Sequence, residues 1–192
     1  MSTKVSSGIS LSTDYFLRNY YNDNRDCAKT STRANFSNVE LSFEDSRALN
    51  RAAKRIGKND YGTDADTDDS DMDDTTRASI KAFVDTYNNT VTSGKSTDDY
   101  ETNRYIKQLH TLSKKYSDDL EDLGITLNND GTLTVNDDLL KTADKSKARK
   151  LLSADQEYPQ KLLRISRKMN SAAQDNIMSL ISTQDFHIDI SL

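Results

Sequence analysis

The chain has 192 residues and a formal net charge of -5, room for one domain with a core, or for one domain with tails. Leu, Ile, Val and Phe total 38 residues, at the edge of what a packed core needs, while Ser, Thr, Asn and Asp total 82. One Cys excludes a disulfide framework and a two-cysteine metal site, and no apolar run has the length of a bilayer span. An acidic balance with no basic run argues against nucleic acid as the main partner.

Residues 1–38 are rich in Ser, Thr and Asn and contain one aromatic knot, from Tyr15 to Tyr21. The knot reads as a short helix or as a segment that docks on a partner, and the rest as extended or mobile chain. Met1 to Leu11 lack the charged-then-apolar order of a cleaved secretory signal. From 39 to 58 we expect a strand-and-helix unit. Val39, Leu41 and Phe43 alternate, Ser42 imitates a cap, and Leu49, Ala52, Ala53 and Ile56 follow on one face of a helix over about 44–56. Residues 59–75 carry eight Asp between Asp60 and Asp74 with no basic residue, as a linker or an acidic binding loop.

A helical region is expected over 76–184. Thr75 or Thr76 would cap a helix bearing Ile80, Phe83, Val84, Tyr87 and Val91, broken at Ser93-Gly94-Lys95-Ser96 and restarted by Asp98 with Glu101. Tyr105, Leu109, Leu112, Tyr116, Leu120 and Leu123 then form a narrow seam closed by Gly124. The period changes to two around Asp130-Gly131, which predicts a hairpin over 125–135. Asn136 or Asp137 would cap a short helix through Ala143, and a further turn covers Lys147 to Leu152. Pro159 suits the first turn of a last helix whose seam is Tyr158, Leu162, Ile165, Met169, Ala172, Asn176 and Leu180. The tail 185–192 alternates again, as an edge strand or an adhesive segment.

No constellation points to catalysis. Ser93-Gly94-Lys95-Ser96-Thr97 imitates the end of a phosphate loop, but position 89 is Asn where that motif needs Gly. Asp64, Asp66 and Asp68 match the first ligands of a calcium-binding loop, but Asp69 and Thr75 replace its essential Gly and Glu. Low-affinity calcium binding stays open as a third function. Cys27 and the two histidines, His110 and His187, have no partner group within sequence reach. We therefore expect no enzyme activity, no cofactor and no metal centre.

One stretch resembles a known family. Ala82-Phe83-Val84-Asp85-Thr86-Tyr87-Asn88, Leu123-Gly124-Ile125-Thr126-Leu127, Asn129-Asp130-Gly131-Thr132-Leu133-Thr134-Val135 and Asp138-Leu139-Leu140 follow one another as in the C-terminal region of the flagellar filament-capping proteins, the hook-associated protein 2 family. Phe43 to Leu49 also fits the helix that precedes an inserted region in that family. Its members are typically much longer, with a heptad-rich N-terminal segment that these residues do not contain. The resemblance implies a non-enzymatic structural protein, exported without a cleaved signal to the extracellular flagellum. Its partners would be like subunits, flagellin or other axial proteins, in a homo-oligomer.

The expected fold is mainly α, an antiparallel two-helix coil with shorter packed helices and one small β-hairpin. Contacts are expected through Tyr105, Leu109, Leu112, Tyr116, Leu120, Leu123, Leu162, Ile165, Met169 and Leu180. The alternative is a small cytoplasmic helical adaptor or secretion chaperone that dimerises through its coil.

Overall fold

A computed structural model describes residues 33–62 and 72–183. The chain divides into two units, Met1–Ser37 and Asn38–Leu192. In the first unit the described residues include a single 3-10 turn at Arg33–Asn35.

The described part of the second unit is mainly helical with one antiparallel hairpin, as expected. Four long helices carry it: α1 (Asn38–Ile56), α2 (Asp74–Lys95), α3 (Tyr100–Lys115) and α7 (Glu157–Thr183). Between α3 and α7 lie α4 (Ser117–Glu121), β1 (Ile125–Leu127), β2 (Leu133–Val135), α5 (Asp137–Lys141) and α6 (Lys145–Leu152). The anticipated antiparallel pairing of α3 with α7 is present, and α1 and α2 complete it as a ring of contacts in which α1 packs on α2 and α7, and α3 on α2 and α7. Cross-links give the directions. Thr90 of α2 reaches Asp45 and Arg55 reaches Ser79, while Asn50 reaches Leu163 and Asn170 reaches Phe43. Each neighbour therefore runs opposite to the last, an up-down-up-down bundle.

Several local expectations change. The alternating trio is no strand: Val39, Leu41 and Phe43 belong to α1, which starts at Asn38. Ser42 is accordingly no cap but a buried helical residue whose hydroxyl finds no hydrogen-bond partner. Caps fall on the nearest Asp with extended backbone. Asp73 Oδ1 accepts from the Thr76 N–H at 2.9 Å, and Asp99 Oδ2 from that of Thr102 at 2.6 Å. Gly94 does not break α2. A Cβ there would stand 2.6 Å from Ile106 and 2.7 Å from Met169, so the glycine admits side chains of α3 and α7.

The seam over 105–123 is two helices rather than one. Its steps from Leu112 to Tyr116 to Leu120 are both four residues, which on a straight helix rotates the face by about 80°. The chain corrects this at Tyr116, where φ -111° and ψ 23° end α3 and α4 begins. On α7 the buried stripe runs through Tyr158, Leu162, Ile165, Met169, Ala173 and Ile177, with Pro159 and Ser166 buried beside it. The stripe steps by four after Met169, following a straight helix rather than a heptad supercoil, so Ala172 and Asn176 are half-buried and Leu180 lies 53% exposed.

The hairpin pairs Ile125 with Val135 and Leu127 with Leu133. Its loop has three residues, with the Gly131 N–H on the Asn128 carbonyl at 2.9 Å. Within it only Gly131 takes positive φ (80°), a type I turn with a glycine bulge rather than a two-residue mirror turn. Gly124, at φ 73°, ends α4 with its N–H on the Glu121 carbonyl, 2.8 Å away.

Gly124→Ala should destabilise the chain by more than about 1–2 kcal/mol. The left-handed backbone alone costs that much, and the new methyl would lie 2.7 Å from Leu139 Cβ. A denaturant midpoint unchanged from wild type would refute this account of the turn.

Candidate functional site

Of the described residues singled out for chemistry, Lys95 and His110 line one pocket of about 350 Å³ with Asp130 and Gly131. Ser93, Gly94 and Lys95 are helical, and the Lys95 ammonium donates to the Asp130 carbonyl, so no phosphate loop forms. His110 is half-buried on α3 beside Gly131. Cys27, His187, Asp64, Asp66, Asp68 and the tail 185–192 lie outside the described residues. Among the described residues no group of three or more His, Cys, Asp and Glu is placed to hold a metal ion. No described helix is long and apolar enough to cross a membrane.

The expected contact residues are mostly interior. Tyr105, Leu109, Leu112, Leu120, Leu123, Leu162, Ile165 and Met169 are buried in the chain's own core, and Tyr116 is half-buried. A seam already filled by α1 and α2 offers no face to a partner, so of the ten only Leu180 stands out into solvent.

At the centre, the Ser113 hydroxyl donates to Tyr87 Oη at 3.0 Å and lies 3.3 Å from Tyr158 Oη, joining α2, α3 and α7. Tyr116 meets the Tyr158 ring edge-on at 5.4 Å. Burial pushes the Tyr87 phenol up to about 12 and those of Tyr61 and Tyr158 higher still. Outside this core the exposed Glu157 is held down at about 2, chiefly by its hydrogen bonds from Lys115, Lys161 and Tyr116. These are packing and surface-pair effects.

The features suited to recognition lie at one end of the bundle. An open groove of about 800 Å³ runs between the start of α1, the α2–α3 junction and the last turns of α7. Asn38 Nδ2 donates to the Ser96 carbonyl at 2.8 Å and Asn103 Nδ2 to that of Thr97 at 3.0 Å, which fixes the junction. Tyr100, 77% exposed, and Leu180 supply apolar surface to the groove. Asp98, Asp99, Glu101 and Asp175 line it against a single Lys168. Asp99 is committed to its cap and Glu101 to Arg104 at 2.8 Å, whereas Asp98 and Asp175 make no ion pair with any described residue. Sequence reading passed over this groove, although an aromatic set among Asp98, Asp99 and Glu101, off the buried face of α3, was a usable signal.

The stretches that carry the family resemblance meet in space. Asn88 Nδ2 donates to the Leu133 carbonyl at 2.8 Å and its Oδ1 accepts the Leu133 N–H at 2.7 Å, so one side chain occupies the edge of β2 as a neighbouring strand would. Lys81 pairs with Asp137 at 2.7 Å, and Gly124 leaves room for Leu139 and the Leu140 N–H.

Comparison with known proteins returned no match among family models, curated proteins or solved structures.

Two measurements test the site. Asn88→Ala leaves both Leu133 backbone groups without their partner and should cost about 1–3 kcal/mol, with the Leu133 amide losing hydrogen-exchange protection. Unaltered protection would contradict the clamp. The raised phenols bind protons in the folded chain that the unfolded chain releases near pH 10, so their contribution is complete below about pH 10 and lost as pH rises through about 12. Melting temperature should fall steadily over that window, and a flat profile would show that these tyrosines do not stay neutral on folding.

Proposed function

We propose that this chain is a non-enzymatic assembly protein of the flagellar filament-cap kind, acting outside the cell through contacts with like subunits, flagellin or other axial proteins. The observation that carries the reading is the clamp. The FVxxYN-like helix, the Gly124–Val135 hairpin and the Leu139–Leu140 turn resemble the family in order, and here they form one hydrogen-bonded unit around Asn88 and Gly124. Side chains kept apart in sequence and joined in space make a resemblance harder to attribute to a common hairpin motif alone.

The physical means of action would be the end groove rather than the seams. The bundle supplies a rigid frame, and Tyr100, Leu180 and the carboxylates around them supply an apolar and charged surface for another protein chain. A second reading, a cytoplasmic adaptor or secretion chaperone, is favoured by the same groove. Its proposed dimerisation through the coil is not, because those side chains are already covered.

Fractionation of the native cells separates the two. Under the cap reading the protein is expected with sheared filaments and in the medium, at a small fixed ratio to flagellin. Recovery from the cytosol alone would exclude the flagellar role and favour the adaptor.

A further inference from the structure

Two helix faces and one turn enclose a pocket away from the end groove. Val91 and Lys95 stand at positions i and i+4 of α2, and Lys107, His110 and Thr111 at positions i, i+3 and i+4 of α3, so each set shares one face of its helix. The hairpin turn, Asn129 to Gly131, closes the third side of a pocket of about 350 Å³. That volume lies at the small end of the range for small-molecule sites, in which apolar walls carry a few placed polar groups. The pocket shares no lining residue with the end groove.

Its walls are held in place. Val91 and Ile106 belong to the main core, 2% and 5% exposed, and give the pocket a fixed apolar floor. The Lys95 ammonium donates to the Asp130 carbonyl and ties the turn to the end of α2. Asp130 Oδ1 accepts the Thr132 N–H at 3.0 Å and the Thr132 hydroxyl at 2.5 Å, which orients the carboxylate. Gly131 keeps the space beside His110 open: a Cβ there would stand 3.2 Å from His110 Cδ2. Chemistry then decides what fits. Lys95, Lys107 and His110 bring two ammonium groups and an imidazole to one rim, donors that draw an anionic group. Asp130 on the same rim repels a second negative charge, so a monoanion fits better than a dianion. The floor rewards a ligand with an apolar body.

We propose that this pocket binds a small organic monoanion, its carboxylate at the Lys107 and His110 rim and its apolar body on Val91 and Ile106. Lys107 and His110 lie one helical turn apart, so both can reach the two oxygens of one carboxylate. Lys95, already tied to the turn, adds its charge without further ordering. Because α2, α3 and the hairpin all line the pocket, an occupied site fastens the hairpin to the bundle, and the ligand should raise the melting temperature as its concentration rises. Nothing in this site depends on where the protein acts.

Benzoate is the probe, titrated into the isotope-labelled full chain in a buffer free of other carboxylates and of phosphate. Backbone amide shifts should saturate with a dissociation constant on the order of 1 mM, as suits so small a ligand. They should be confined to the amides around Val91 to Lys95, Ile106 to Thr111 and Asn129 to Gly131. Benzamide, which keeps the ring and loses the charge, should bind at least about fivefold more weakly. Inorganic phosphate, which lacks the apolar body, should give no saturable shift. Lys107 is exposed, so K107E should fold with wild-type helicity by circular dichroism and weaken benzoate by at least about tenfold. If that reversal prevents folding, K107Q carries the same comparison, with a loss of about threefold. Wild type without saturable shifts at about 20 mM benzoate, or with shifts spread over the whole surface, would overturn the proposal. So would benzamide or phosphate binding as tightly as benzoate, or a folded Lys107 variant that binds benzoate like wild type.

Discussion

A single hydroxyl group sets the register of the bundle. Ser113 meets two tyrosines that come from helices on either side of it, and all three are buried. Buried polar groups are tolerated only when paired, so sliding any of α2, α3 or α7 by one turn would leave phenols orphaned in the core. Apolar packing alone permits such slips, because one leucine replaces another at little cost. The tyrosine–serine contact makes one alignment better than its neighbours.

From that alignment the peripheral pieces follow. With α2 fixed, Asn88 faces the edge of β2 and Lys81 faces Asp137, so a two-stranded hairpin, marginal by itself, gains a third partner in a side chain. With α3 fixed, its first turn and the junction before it form the end groove. The scarcity of large aliphatic residues is met by long helices with narrow buried stripes. It is also met by small buried residues, Ser46, Ser93, Gly94 and Ser166, that let backbones approach.

The fold was legible wherever a local rule was strong. Asp130-Gly131 located the hairpin, Gly124 the end of a helix, Pro159 the first turn of α7, and the leucine spacing both antiparallel partners. It was misread where two rules competed. Val39, Leu41 and Phe43 satisfy period two but sit in a helix because Phe43, Leu49 and Ile56 are needed by the core. Gly94 looked like a breaker because its reason is a neighbour more than 70 positions away, Met169. Ala173 and Ile177 displaced Ala172, Asn176 and Leu180 because a straight helix drifts off a heptad within three turns. The end groove escaped altogether. It is assembled from helix ends distant in sequence and carries no motif.

The order of the helices has a consequence for how the molecule comes into being. Among the described helices the partner of α1 is α7: Asn50 bonds to Leu163, 113 positions on, and Asn170 to Phe43, 127 positions away. Long-range closures of this kind are slow to form, because the intervening chain must be brought round before any contact rewards it. A chain emerging from the ribosome cannot complete this core until α7 has cleared. Until then α1 lacks one of the two long helices on which it packs.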